Sequence, residues 1–157
     1  KQKKIAPEHL RIAPESMCQL NRVGTDLGRL EGVSAMTDVT GFGLLGHLLE
    51  ICQGSDLAAT LDYRRIPRLP QTTEYLAQGC SPGGAERNFA SYGEQVAPLS
   101  DEQRQLLCDP QTSGGLLVAV DPNRETEFLE VVSAAGLTLS PIGHLHEWRG
   151  GPRIEVR

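Results

Sequence analysis

Apolar positions form a clear stripe after residue 43, where Leu45, Leu48, Leu49 and Cys52 stand at i, i+3, i+4 and i+7. That spacing predicts an amphipathic helix from Phe42 to Gln53 with its apolar side on the core. Gly43, Gly46, His47, Glu50 and Gln53 fall on the other side, which makes His47 a surface or interface residue. Gly54 is placed to end the helix. Ahead of it, residues 33–39 read as a strand that runs directly into Gly41-Phe42-Gly43. Residues 116–120, Leu-Leu-Val-Ala-Val, are apolar without alternation, which predicts a strand buried on both faces. A first helix opens at Pro14, with Glu15 favourably placed in its first turn, and runs to Val23, where Gly24 can end it. A second strand covers 57–63 and is ended by Pro67 and Pro70. Short helices over 71–78 and 101–107 flank a loop at 79–84 and a helix from Ala85 to Tyr92. Asp121-Pro122 caps a helix over 123–135 closed by Gly136. Residues 137–148 and 153–156 are two last strands with a turn at Gly150-Gly151. Strands alternating with helices predict an α/β layered domain with a mixed sheet.

Composition narrows the function classes. The 157 residues fit one domain or half of a larger one. Fifteen basic against twenty acidic residues give a net charge of −5, so no general basic field exists to hold nucleic acid or an anionic membrane. Three Phe, three Tyr and one Trp are too few for a base-stacking surface. No apolar run approaches the ~20 residues that span a bilayer. The basic start Lys1-Gln2-Lys3-Lys4 has no apolar segment after it, so it is not read as a signal peptide. The chain does not begin with Met, which is consistent with a fragment of a longer protein. Cys18, Cys52, Cys80 and Cys108 form no C-x-x-C pair and read as free thiols of a reducing cytosol.

Two glycine-rich turns and one arginine are the candidate chemistry. Thr37-Asp38-Val39-Thr40-Gly41-Phe42-Gly43 places a carboxylate at a strand end, then glycines, then a helix start. Backbone N–H groups at a helix N-terminus attract anions, and Gly41 and Gly43 remove side chains that would block a phosphate. Asp38 stands where it can share a Mg²⁺ with that phosphate, since Mg²⁺ favours carboxylates together with substrate phosphates. The plainer reading is a strand–turn–helix with an acid in the turn. No Lys-Ser/Thr follows the glycines, so this is not a P-loop. In Asp109-Pro110-Gln111-Thr112-Ser113-Gly114-Gly115, the hydroxyls of Thr112 and Ser113 can contact phosphate or ribose, or Asp109 and Ser113 can simply cap a turn. Arg87 can take a phosphate bidentately, but a solvated arginine on a helix is the commoner case. His144 and His146 share one side of a strand and are expected to be an exposed pair without metal, for want of a third ligand at a telling spacing.

Together these stretches make the chain familiar. Residues 36–47 (MTDVTGFGLLGH), 82–92 (PGGAERNFASY), 108–117 (CDPQTSGGLL) and the ending 149–157 resemble the selenophosphate synthetase (selenide, water dikinase) family. The resemblance covers essentially the whole chain and corresponds to the C-terminal half of that enzyme. It implies a layered α/β sandwich like the C-terminal domain of aminoimidazole ribonucleotide synthetase, with residues 1–30 a leading helix and linker and 31–157 the main body. It also implies an ATP- and Mg²⁺-dependent, cytoplasmic kinase-type transferase that makes selenophosphate from selenide and ATP, releasing AMP and phosphate. Within it Asp38 is implied as a metal ligand, and Gly41, Gly43, Thr112 and Ser113 are expected to face the nucleotide. The implied partners are the N-terminal half, which forms a homodimer and carries most ATP contacts, together with ATP and selenide. The family's reactive cysteine or selenocysteine and its lysine have no counterpart here, so no catalytic residue is assigned and the chain by itself is expected to be inactive. Ala85 stands where the family usually has threonine. Two other readings stay open: another ATP-dependent member of the superfamily, or a non-catalytic interaction module with this fold.

Overall fold

The computed structural model describes residues 4–81 and 83–157. The basic start at residues 1–3 and Pro82, in the loop expected over 79–84, lie outside the described residues. In chain order the main elements are α1 (Ile12–Met17), α2 (Gly24–Leu27), β1 (Val33–Asp38), α3 (Gly43–Gly54), β2 (Leu57–Leu61), α4 (Thr72–Ala77), α5 (Gly84–Tyr92), α6 (Asp101–Leu107), β3 (Leu116–Val120), α7 (Glu125–Ala134), β4 (Gly143–Glu147) and β5 (Ile154–Val156). Two sheets result. β1 and β3 pair antiparallel, from Val33 opposite Val120 to Asp38 opposite Leu116. β2 lies between β4, antiparallel to it, and β5, parallel to it, which is the mixed sheet expected of an α/β layered fold.

The stripe of α3 makes the main core. Leu45, Leu48, Leu49 and Cys52 are all buried, against Ala59 and Leu61 of β2, Ile154 of β5, and Leu107 and Cys108 at the end of α6. A smaller cluster joins Leu27 of α2 to Phe128 and Val132 of α7, with Val118 and Val120 of β3 against it. α6 begins where Ser100 and Gln103 form a reciprocal capping box, each side chain bonding the other's backbone N–H.

Several elements depart from the sequence reading for identifiable reasons. The first helix is shorter than 14–23 and starts earlier, with Pro14 inside its first turn, where the missing N–H has no intrahelical acceptor to lose. It stops at Met17, and Leu20 beyond it is 77% exposed, so no packed stripe sustains another turn. Gly24 opens α2 instead of closing α1. β2 ends at Leu61 because the Asp62 carboxylate accepts the Arg64 amide and turns the chain. The helix expected at 123–135 starts as a 3-10 turn, Pro122–Arg124, and Gly136 closes it with φ 76°. The stretch 137–148 forms a strand only from Gly143, and Leu137 and Leu139 stay exposed. β3 is half-buried throughout, not buried on both faces. Leu117 packs on the main core and Val118 and Val120 on the smaller one, so both faces are apolar, yet among the described residues β1 is its sole strand partner.

Candidate functional site

Alternation along β1 decides where Asp38 points. Val33, Ala35 and Thr37 are half-buried, whereas Ser34, Met36 and Asp38 are exposed. Asp38 therefore ends the strand on its open face, and its carboxylate makes no hydrogen bond or ion pair among the described residues.

The four residues that follow are held by their carbonyls. Val39 O accepts from Gly114 N at 3.1 Å. Thr40 O accepts from Gly43 N and from Gln111 N, both at 3.0 Å. Gly41 O accepts from Asn88 Nδ2 at 2.8 Å and Phe42 O from Tyr92 Oη at 2.7 Å. A trans peptide points its C=O and the next N–H in opposite directions. Anchoring the carbonyls of Val39, Thr40 and Gly41 therefore turns the amides of Thr40, Gly41 and Phe42 away from those anchors. None of the three has a hydrogen-bond partner among the described residues. Three unspent donors beside a helix start and an uncommitted carboxylate form an arrangement suited to a phosphate with a shared cation.

The two glycines of the turn serve different ends. A Cβ on Gly41 would meet nothing within 4 Å, so this position is open to an approaching ligand. Gly43 is buried with φ 71°, and a Cβ there would stand 2.7 Å from the Cys108 carbonyl carbon. Its lack of a side chain is required by the close pass of the α6 end and by the left-handed backbone.

The second glycine-rich stretch lies directly behind the first. Gln111 and Gly114 donate to Thr40 and Val39, and Val39 N donates to Gly115 O at 2.9 Å. Thr112 is exposed and Ser113 half-buried, and neither hydroxyl is bonded among the described residues. The structure thus brings 112–115 to the same end of the β1–β3 ladder as Asp38. Asp109, at the head of the stretch, accepts from Gln111 Nε2 at 2.7 Å through one oxygen, while its Oδ1 is buried without a partner among the described residues. Burial raises its carboxyl above the ordinary value, and the Gln111 bond opposes that in part.

Asn88 joins three stretches. Its amide donates both to Gly41 O and to Cys108 O, at 2.8 and 2.9 Å, and so ties α5 to the turn and to the end of α6. Arg87, its neighbour, is exposed, makes no ion pair among the described residues and is not tied to the turn. Ala85 is wholly buried. Cys108 is buried, and burial raises its thiol above the ordinary value, which keeps it protonated and unreactive. None of the four cysteines is in a disulfide.

His47 is a correction. It was expected at the surface or at an interface, yet it is only 7% exposed, covered by the turn of its own chain. Its ring lies beside Phe42, with centroids 5.7 Å apart, and bonds Thr40 and Glu50. The turn folds back over the first helical turn and covers the side that solvent would otherwise occupy. A signal was available: Glu50 stands at i+3 from His47, a spacing at which helical side chains meet. Asn88 could have been found the same way, because Ala85, Asn88 and Tyr92 share one face of α5 at i, i+3 and i+7. His144 and His146 are exposed on one side of β4 with ring centroids 5.6 Å apart, and His146 Nε2 lies 3.2 Å from Thr60 Oγ1.

Among the described residues no group of three or more His, Cys, Asp or Glu is gathered to hold a metal. Asp38 fits a Mg²⁺ that keeps most of its six ligands as water or phosphate oxygens, since it supplies at most two. Two grooves, about 280 Å³ beside Trp148 and about 200 Å³ between α4, α6 and the residues around α1, are lined by no residue of this turn, although Asp109 of the supporting stretch lines the second. No helix among the described residues is long and apolar enough to cross a membrane.

A strand-borne acid, a glycine turn and a braced helix start within an α/β layered domain agree with what comparison with known proteins gives. Residues 6–154 match the family described as AIR synthase related protein, C-terminal domain, and the chain belongs to that family. Among individual proteins it is similar to those named selenide, water dikinase. The protein of that name from Yersinia pseudotuberculosis is 59% identical over 145 residues, 92% of this chain and 42% of its own length. The one from Pseudomonas putida is 57% identical over 156 residues, 99% of this chain and 45% of its own. The one from Aeromonas salmonicida is 53% identical over 156 residues, with the same shares. The chain therefore spans less than half the length of the relatives it matches.

Proposed function

We propose that this chain is the C-terminal, nucleotide-facing domain of a selenide, water dikinase, with residues 1–30 a leading segment and 31–157 the main body. In this reading one phosphoryl group of ATP passes to selenide, a second is released to water as phosphate, and AMP remains. The observation that carries it is the turn after Asp38, whose three amides, without partners among the described residues, face away from a four-carbonyl brace beside a carboxylate equally uncommitted among them. The name borne by the relatives supports the reaction class, and their greater length supports an N-terminal partner half. That half supplies the remaining metal ligands, the reactive groups and the dimer contact, and this chain alone is inactive.

The chain's own part is to bind and orient. The amides of Thr40, Gly41 and Phe42 receive phosphate oxygens, Gly41 leaves room for them, and Thr112 and Ser113 line the neighbouring edge. Mg²⁺, when bound, neutralises phosphate charge, and Asp38 holds it against the turn. The enzyme works in the cytoplasm, in keeping with cysteines that form no C-x-x-C pair. The test is Asp38→Asn in the full-length protein, with ATP consumption and selenophosphate formation measured against Mg²⁺ concentration. Turnover at ordinary Mg²⁺ is expected to fall about 100-fold, the upper end for groups that secure a metal, with an unchanged melting midpoint. Wild-type turnover would remove the ligand role.

A further inference from the structure

The Thr40 side chain has its direction set by a residue ten positions further on. His47 Nδ1 lies 3.1 Å from Glu50 Oε2, and His47 Nε2 lies 3.1 Å from Thr40 Oγ1. An ionised carboxylate only accepts hydrogen bonds, so the contact with Glu50 places the ring hydrogen on Nδ1. In the neutral imidazole the other nitrogen is then a bare lone pair. Nε2 therefore accepts, and the Thr40 hydroxyl must donate to it. A hydroxyl has one hydrogen and two lone pairs. With the hydrogen spent on His47, only lone pairs remain for a ligand.

We infer that Glu50 and His47 act as positioning residues that make Thr40 a fixed hydrogen-bond acceptor, not a donor, in the turn after Asp38. A phosphate oxygen, itself an acceptor, is refused at Thr40 Oγ1 and left to the backbone amides. A ligand that carries hydrogens is accepted there: in the proposed setting, a water in the hydration shell of the Mg²⁺ held by Asp38. Mg²⁺ retains such waters, and oriented outer-shell partners of this kind tune metal sites. The packing protects the polarity of the chain. His47 is buried, Phe42 covers one side of its ring, and a Cβ on the adjoining Gly46 would stand 2.5 Å from Phe42 Cβ, so the helix and turn close tightly over it. The assignment of Mg²⁺ and phosphate rests on the proposed function, but the direction of the hydrogen bonds does not.

Two measurements on the full-length protein separate the parts. Long-range ¹H–¹⁵N spectra of the His47 ring at pH 8 are expected to show the Nδ1–H tautomer, and Glu50→Ala is expected to move it toward Nε2–H. An Nε2–H tautomer in the wild type, or a ring protonated at both nitrogens, overturns the inference whatever the enzyme does. In the second measurement, Thr40→Val keeps the shape, His47→Phe keeps a buried ring, and cooperative melts establish that each variant folds. Each is expected to raise the Mg²⁺ concentration for half-maximal ATP consumption about tenfold, the scale for losing an oriented outer-shell partner. Thr40→Ser should restore most of the loss, and the double variant should be no worse than either single one, as for residues acting through one bond. Unchanged Mg²⁺ midpoints, or effects that multiply, overturn the Thr40 role. Absence of any Mg²⁺-dependent ATP consumption in the wild type would instead sink the proposed function, while the spectra still decide the tautomer.

Discussion

The two glycine-rich stretches, 39–43 and 109–115, have similar composition and opposite use of their backbone. The first commits its carbonyls and leaves three amides without partners among the described residues. The second spends the amides of Gln111 and Gly114 on the first and accepts from it at Gly115. One is the presenting surface and the other its support. Glycine and hydroxyl content alone does not separate these uses, because what differs is which end of each peptide has been claimed by a neighbour.

Three substitutions sharpen that comparison. The largest effect is expected for Gly43→Ala, which places a methyl against the Cys108 backbone in a left-handed conformation. About 1–2 kcal/mol for the backbone and about 1–3 kcal/mol for overpacking add to a loss readable in a denaturant melt. An unchanged midpoint would mean that the turn can shift away from α6. Next is Asn88→Ala, which removes the donor shared by Gly41 O and Cys108 O. Leaving these acceptors without it costs about 1–3 kcal/mol, and Mg-ATP affinity of the full-length protein should drop as the Phe42 amide loses its orientation. If stability falls while affinity holds, the brace is structural only.

The smallest effect belongs to the support stretch. Burial raises the Asp109 carboxyl above its ordinary 3.8. A carboxyl raised by folding weakens the fold while ionised, above its folded pKa, and that penalty fades as pH falls through it. Asp109→Asn is therefore expected to raise the melting midpoint at pH 7 and to leave it nearly unchanged at pH 3. A lower midpoint at pH 7 would show that the charge is needed where it stands.

Much of the fold was legible in the residues themselves. The α3 stripe of Leu45, Leu48, Leu49 and Cys52 set a core-facing helix, and the short helix expected over 101–107 is α6. Other features depended on partners that no local pattern names. Leu116–Val120 is apolar on both faces because it lies between two separate clusters, which a run of five residues cannot distinguish from a central strand. His47 was misplaced because the surface that covers it is the turn before its own helix. Asp38, Gly41 and the 112–115 stretch could be singled out from local chemistry, but the carbonyl brace could not. It is built by Asn88, Tyr92 and Gln111, each ordinary in its own segment.

The pairing of Asp38 with Leu116 closes a separation of about half the chain's length. Loop closure over such a separation must be met before the contacts it makes can contribute, so ladders of this kind form late in folding. Until β1 and β3 have zipped to that end, Val39 and Thr40 lack their supporting stretch, and their carbonyls are free to rotate. A partly folded chain therefore has no aimed amides to offer. In the proposed function, phosphate affinity at this turn is then a seal on completed folding, acquired last and lost first when the ladder frays.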